Sequence, residues 1–198
     1  MLADTIHSDA CHKASGLEEI FAEKFYSTYK TRLVGGAAEP LYTPAVNADE
    51  NSRIYYREDF FSSALHEISH WCIAGDKRRL QEDFGYWYVE DGRSDTDQAA
   101  FESVEVKPQA LELLFSLAAN YRFQVSVDNL NGSTNTVEQF QQSVFQQALR
   151  YCNNGLPHRA SIFFKALREH YKGLSITEIT ELLKSHQVAN PASPLEQI

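Results

Sequence analysis

The sequence predicts an α+β fold: a single, mostly helical domain around a small mixed sheet, with a metal-binding type of motif on one helix. Three observations lead there. Apolar residues recur at three- and four-residue spacing through most of the 198 residues, which is the period of a buried helix face. Only three short segments, 53–56, 84–89 and 123–127, have the aromatic and β-branched character of strands. The composition, 43 % hydrophobic with 10 Tyr and 12 Phe, supplies one sizeable core.

Taken in order, residues 1–14 are polar and unpatterned and are expected to be a flexible N-terminal tail. Residues 15–186 form the domain, and residues 187–198, with Pro191 and Pro194, are a second flexible tail. Ser15 and Glu18 have capping-box spacing and open a helix through Ile20, Phe21, Phe25 and Tyr29. Residues 35–51 hold two Gly and two Pro without periodicity and predict a long surface loop. A short strand at 53–56 leads into the motif helix, for which Gly75 is the expected C-cap.

A strand over 84–89 turns at Asp91-Gly92. Asp95 or Thr96 then caps a long helix ending near Asn120, kinked or restarted at Pro108. A strand at 123–127 closes on an Asn131-Gly132 turn. Helices at 136–153, 157–171 and 175–186 follow, the last opened by a Ser175/Glu178 capping box.

Composition excludes several function classes. A formal charge of −9 argues against a broad nucleic-acid footprint, which needs clustered Lys and Arg. The one dense basic run, Lys77, Arg78 and Arg79, is followed at once by Glu82 and Asp83 and reads as a solvated helix end. No apolar run reaches membrane-spanning length, and the N-terminus lacks the order of a secretion signal. Cys11, Cys72 and Cys152 are odd in number and far apart, so neither a disulfide framework nor a Cys-x-x-Cys zinc site is expected. A reducing cytoplasm is the matching compartment.

The motif is HEISH: His66, Glu67 and His70. On a helix, imidazoles four apart stand one turn above each other and can close on one metal ion. Leu65, Ile68, Trp71 and Cys72 make an apolar stripe on another face. A buried helix whose stacked histidines bond neighbouring carbonyls is the plain competitor.

A metal needs a third ligand. The metzincin spacing places Asp76 where its third histidine belongs and Ile73 where its glycine belongs, so that arrangement does not fit. The long helix offers Glu102, Glu105, Gln109 and Glu112 in one polar stripe, with Phe101, Val104, Leu111 and Phe115 in an apolar one. Such a polar stripe is usually a solvated face. A carboxylate from a second helix is nevertheless how two-histidine sites commonly become His₂Glu, and Glu105 or Glu102 could supply it.

The runs SALHEISHWCIAG, DFGYWY, DGR and VEVKPQAL resemble the bacterial elongation factor P hydroxylase family, a likeness running from about residue 21 to 171. The resemblance implies a cytoplasmic enzyme that hydroxylates the lysine of elongation factor P after a β-lysyl group has been added. It implies a non-haem Fe(II), with molecular oxygen as co-substrate, held by His66, His70 and Glu105. It also implies a fold closer to a small metal-dependent ribonuclease than to an oxygenase barrel. The partner would be β-lysylated elongation factor P, with no direct nucleic-acid or membrane contact.

The chemistry of the residues is compatible. Two His and one carboxylate with open positions suit Fe(II) and oxygen, and equally suit zinc or another divalent metal with a bound water. Glu67 separates the cases. In a zinc hydrolase, peptidase or nuclease, the alternative reading, it is the general base. In an oxygenase it orients a histidine or the substrate. A non-enzymatic protein with a structural metal fits less well, since Cys72 lies on the apolar face. His7-Ser8-Asp9 has the letters of the His-x-Asp oxygenase motif, but in an expected tail. No glycine-rich nucleotide loop indicates a flavin or nicotinamide. A long cationic substrate needs an apolar tunnel with carboxylates. Asp83, Tyr86, Trp87, Tyr88, Asp91 and Glu102 are the candidates to line it, with cation–π contacts from the aromatic faces.

Overall fold

The structure is a computed structural model that describes residues 12–84, 95–126 and 134–189. Its order is α1 (Ala14–Tyr29), β1 (Thr31–Ala37), β2 (Leu41–Thr43), β3 (Ser52–Arg57), α2 (Phe61–Ile73), α3 (Asp95–Ala118), α4 (Thr134–Asn154), α5 (His158–Tyr171) and α6 (Ile176–Ala189), with a 3-10 turn at Arg78–Leu80. Helices dominate and the sheet is small and mixed. The fold is α+β, as the sequence predicts.

β3 is the middle strand, parallel to β1 (Leu33 opposite Ile54) and antiparallel to β2 (Tyr42 opposite Ile54). Its side chains alternate, with Ser52, Ile54 and Tyr56 buried and Arg53 and Arg57 exposed, because one sheet face packs on the helices. β1 and β2 lie where a long loop was expected, a correction with a physical reason. The apolar pattern of β1 is broken by Gly35 and Gly36, β2 spans only Leu41–Thr43, and the parallel partner of β1 lies across the chain beyond β2. Gly35 is needed there: a Cβ would come within 2.5 Å of the Tyr56 hydroxyl.

The α1 capping box does not form, since no side chain caps that helix. Glu18 instead accepts hydrogen bonds from the Gly35 amide (3.0 Å) and the Tyr56 hydroxyl (2.9 Å), tying α1 to the sheet. His12 contacts the carbonyl of Ala119 through Nε2 at 2.9 Å and packs against Phe61, Tyr121 and Tyr171. The Ser175/Glu178 box does form: the Ser175 amide and hydroxyl donate to Glu178 Oε2 at 2.8 and 2.6 Å.

Two further expectations are corrected. The segment 121–126 is not a strand: the Gln109 carboxamide donates to the Ser126 carbonyl (2.9 Å) and accepts from its amide (3.2 Å), replacing the backbone of a neighbouring strand. Gly75 does not cap α2. Arg159 on α5 donates to the carbonyls of Trp71 (2.9 Å), Cys72 (3.3 Å) and Ala74, so a guanidinium satisfies the last turn. The expected 84–89 strand, apart from Phe84, and the two turns at Asp91-Gly92 and Asn131-Gly132 lie outside the described residues.

The core joins the helices through aromatic side chains. Phe21 and Phe25 of α1 pack on Trp71 of α2, with ring centroids 5.0 Å apart in both pairs, and on Phe163 of α5. Each fully buried side chain of this kind contributes about 1.5–3 kcal/mol through burial. This cluster holds one side of α2 fixed while its other side meets α3. Among the described residues, no helix is long and apolar enough to cross a membrane.

Candidate metal centre

α2 brings its two histidines together because residues four apart share a face. Leu65, Ile68 and Trp71 anchor the helix in the core, so His66 and His70 are directed at α3. Their ring centroids are 4.8 Å apart and their Nε2 atoms 3.1 Å apart. The side chains are only 12 % and 14 % exposed.

α3 presents its acidic stripe to them. Glu105, Gln109 and Glu112 are all buried, whereas Val104, assigned to the apolar stripe, is 46 % exposed. From Glu105 to Glu112 the polar stripe is therefore an internal face and not a solvated one. Pro108 lies inside α3 without ending it, so the Val104 carbonyl loses its helical donor one residue before Glu105.

Glu105 is 0 % exposed. Its Oε1 is 3.2 Å from His70 Nε2 and its Oε2 is 3.5 Å from His66 Nε2. Among the described residues neither oxygen has a hydrogen-bond partner. One ligand atom from each of the three residues lies within 4.8 Å of the others. Burial alone would raise the carboxyl pKa, but the adjoining His70 and His66 rings outweigh it and hold it below its ordinary value. A buried carboxylate with bare oxygens, facing two imidazole nitrogens, is chemically matched to a cation at their meeting point.

His66 is held from behind as well. Its Nδ1 is 2.8 Å from Glu112 Oε2. Burial disfavours the imidazolium, yet this bond and the nearby carboxylates push the His66 pKa up to about 10. Glu67, next in sequence, has its carboxyl pKa raised chiefly by burial. It borders a small cavity of about 30 Å³ together with Tyr42, His70, Trp71, Arg78 and Asp83.

Asp83 stands in that cavity wall, its carboxylate paired with Arg78 and its backbone bridged to Tyr42 in both directions. Tyr86, Trp87, Tyr88 and Asp91 lie outside the described residues. Glu102 lies on α3 one turn before Glu105, where only the helix backbone is described. A much larger groove, about 800 Å³ between α4, α5 and α6, contains none of these groups. Size does not identify the site here; the convergence of buried ligand atoms does. Sequence reasoning missed Arg159, which carries no motif, and left Glu112 without a task. Its signal was a place two helical turns after Glu105, on the same face.

A family model described as elongation factor P hydroxylase matches residues 20–180 of this chain. A protein of Haemophilus influenzae named elongation factor P lysine hydroxylase is 49 % identical over 160 residues, spanning 81 % of this chain and 90 % of that protein.

Proposed function

We propose that this chain, which belongs to the elongation factor P hydroxylase family, is a cytoplasmic non-haem iron enzyme that hydroxylates the β-lysylated lysine of elongation factor P. The relative's name supplies the reaction and the protein substrate. The observation that carries the metal reading is Glu105, buried with both oxygens bare against two imidazoles. His66, His70 and Glu105 would hold Fe(II) as a two-histidine, one-carboxylate set with open positions. Bound there, Fe(II) with molecular oxygen and two electrons from an external reductant would supply the chemistry that places one oxygen atom in a C–H bond and releases the other as water.

The remaining work falls to the chain's own residues. The small cavity of about 30 Å³ beside His70 is the space nearest the ligand set that Glu67, Arg78 and Asp83 border. Glu67 faces this space with a carboxyl whose charge burial disfavours, and an arriving ammonium group relieves that cost. Asp83 is already engaged by Arg78, so Glu67 is the more available partner for the substrate cation.

The test is a mass spectrum of β-lysylated elongation factor P after incubation in air with the Fe(II)-loaded enzyme and an excess of a two-electron reductant. The expected result is a gain of one oxygen atom on the modified lysine, abolished by His66→Ala and by Glu105→Ala. Glu67→Gln should reduce the rate by about 10–100-fold without abolishing it. An unmodified substrate with the wild-type enzyme, or cleavage of the polypeptide in its place, would sink the proposal.

A further inference from the structure

We propose that Glu112 is a positioning residue: it holds the His66 ring proton on Nδ1 so that Nε2 is the nitrogen presented to the metal. The inference rests on the reading of His66 as a ligand and goes beyond it. Glu112 is only 6 % exposed, and its Oε2 lies 2.8 Å from His66 Nδ1, the length of a charge-assisted bond. The opposite nitrogen, Nε2, is the one facing Glu105 Oε2 (3.5 Å) and His70 Nε2 (3.1 Å). A carboxylate can only accept, so in the neutral ring the proton belongs on Nδ1 and the lone pair on Nε2.

Geometry along α3 supports a joint role. Glu112 follows Glu105 by two helical turns, so both carboxylates reach the α2 histidines from one face. Both carboxyl groups therefore bear on one buried site from the same helix face. Glu105 approaches the metal side of the rings and Glu112 the far side of His66.

The competing possibility is that Glu112 merely clamps α2 to α3. Metal affinity and ring protonation separate the two. Zinc is diamagnetic and suits both measurements, made on the full chain by chelator competition and by nitrogen-15 NMR of labelled histidine rings. In the zinc-loaded wild type, His66 should carry its proton on Nδ1, in a slowly exchanging hydrogen bond. Glu112→Ala should weaken zinc binding by about 10–100-fold and lose that signal. Glu112→Gln, whose side-chain oxygen still accepts the bond, should recover most of the affinity, and it remains informative should the Ala variant unfold. Wild-type affinity in Glu112→Ala, or equal losses in both variants with the His66 signals unchanged, overturns the proposal. A wild type that takes up no metal overturns instead the ligand reading beneath it.

Discussion

Replacing Glu105 with Gln isolates the anionic ligand from the fold. The side chain is 0 % exposed and its oxygens lie 3.2 and 3.5 Å from the His70 and His66 rings, so the near-isosteric amide removes the charge without opening a cavity. The metal-free variant should therefore fold. Its response to metal should change. At a free metal concentration 100 times its Kd, a ligand that binds only the folded state stabilises by about 2.7 kcal/mol. For a domain of this size that raises Tm by roughly 5–11 °C. Loss of the one anionic ligand should weaken binding by at least the ~100-fold that losing an outer hydrogen-bond partner costs. The same metal concentration then only equals the variant's Kd, and the gain falls to about 0.4 kcal/mol, roughly 1 °C. Anaerobic thermal melts of wild type and Glu105→Gln, with and without Fe(II) or Mn(II), measure both shifts. Equal metal-induced shifts in the two proteins would refute the assignment of Glu105 as ligand.

Two further predictions concern the scaffold. Burial, with the bond to Glu18, raises the Tyr56 phenol above its ordinary pKa, so the unfolded chain loses that proton first as pH rises. Stability should be unaffected by this group below pH about 10 and should fall above it, a slope that Tyr56→Phe removes in urea titrations. A Cβ on Gly173 would lie 2.2 Å from the Ala118 carbonyl oxygen, whereas one on Gly75 meets nothing within 4 Å. Gly173→Ala should therefore cost about 3 kcal/mol in denaturant unfolding. Gly75→Ala should cost close to nothing, and equal costs would contradict the close approach of the α5–α6 connection to the end of α3.

The legible parts of the chain were those whose signals are local. The helical period around HEISH places α2 and stacks its histidines, and the Ser175/Glu178 spacing gives the start of α6. What escaped depended on distant partners. The Ser15/Glu18 spacing satisfies the same rule as the box on α6, but Glu18 is drawn to the Gly35 amide and the Tyr56 hydroxyl. β1 pairs with a strand some twenty residues away, which no local pattern records. The acidic stripe of α3 was ambiguous for a related reason. Periodicity shows that Glu105, Gln109 and Glu112 share a face, but only packing shows that the face is turned inward. Arg159 was invisible because its role exists only where α5 meets the end of α2.

The most direct test of the account is hydroxylation under heavy-isotope oxygen gas in ordinary water, with an excess of a two-electron reductant and the enzyme loaded with Fe(II) or with zinc. The account predicts one heavy oxygen atom on the β-lysylated lysine with Fe(II) and none with zinc. Incorporation of light oxygen from water, or equal turnover with zinc, would contradict it.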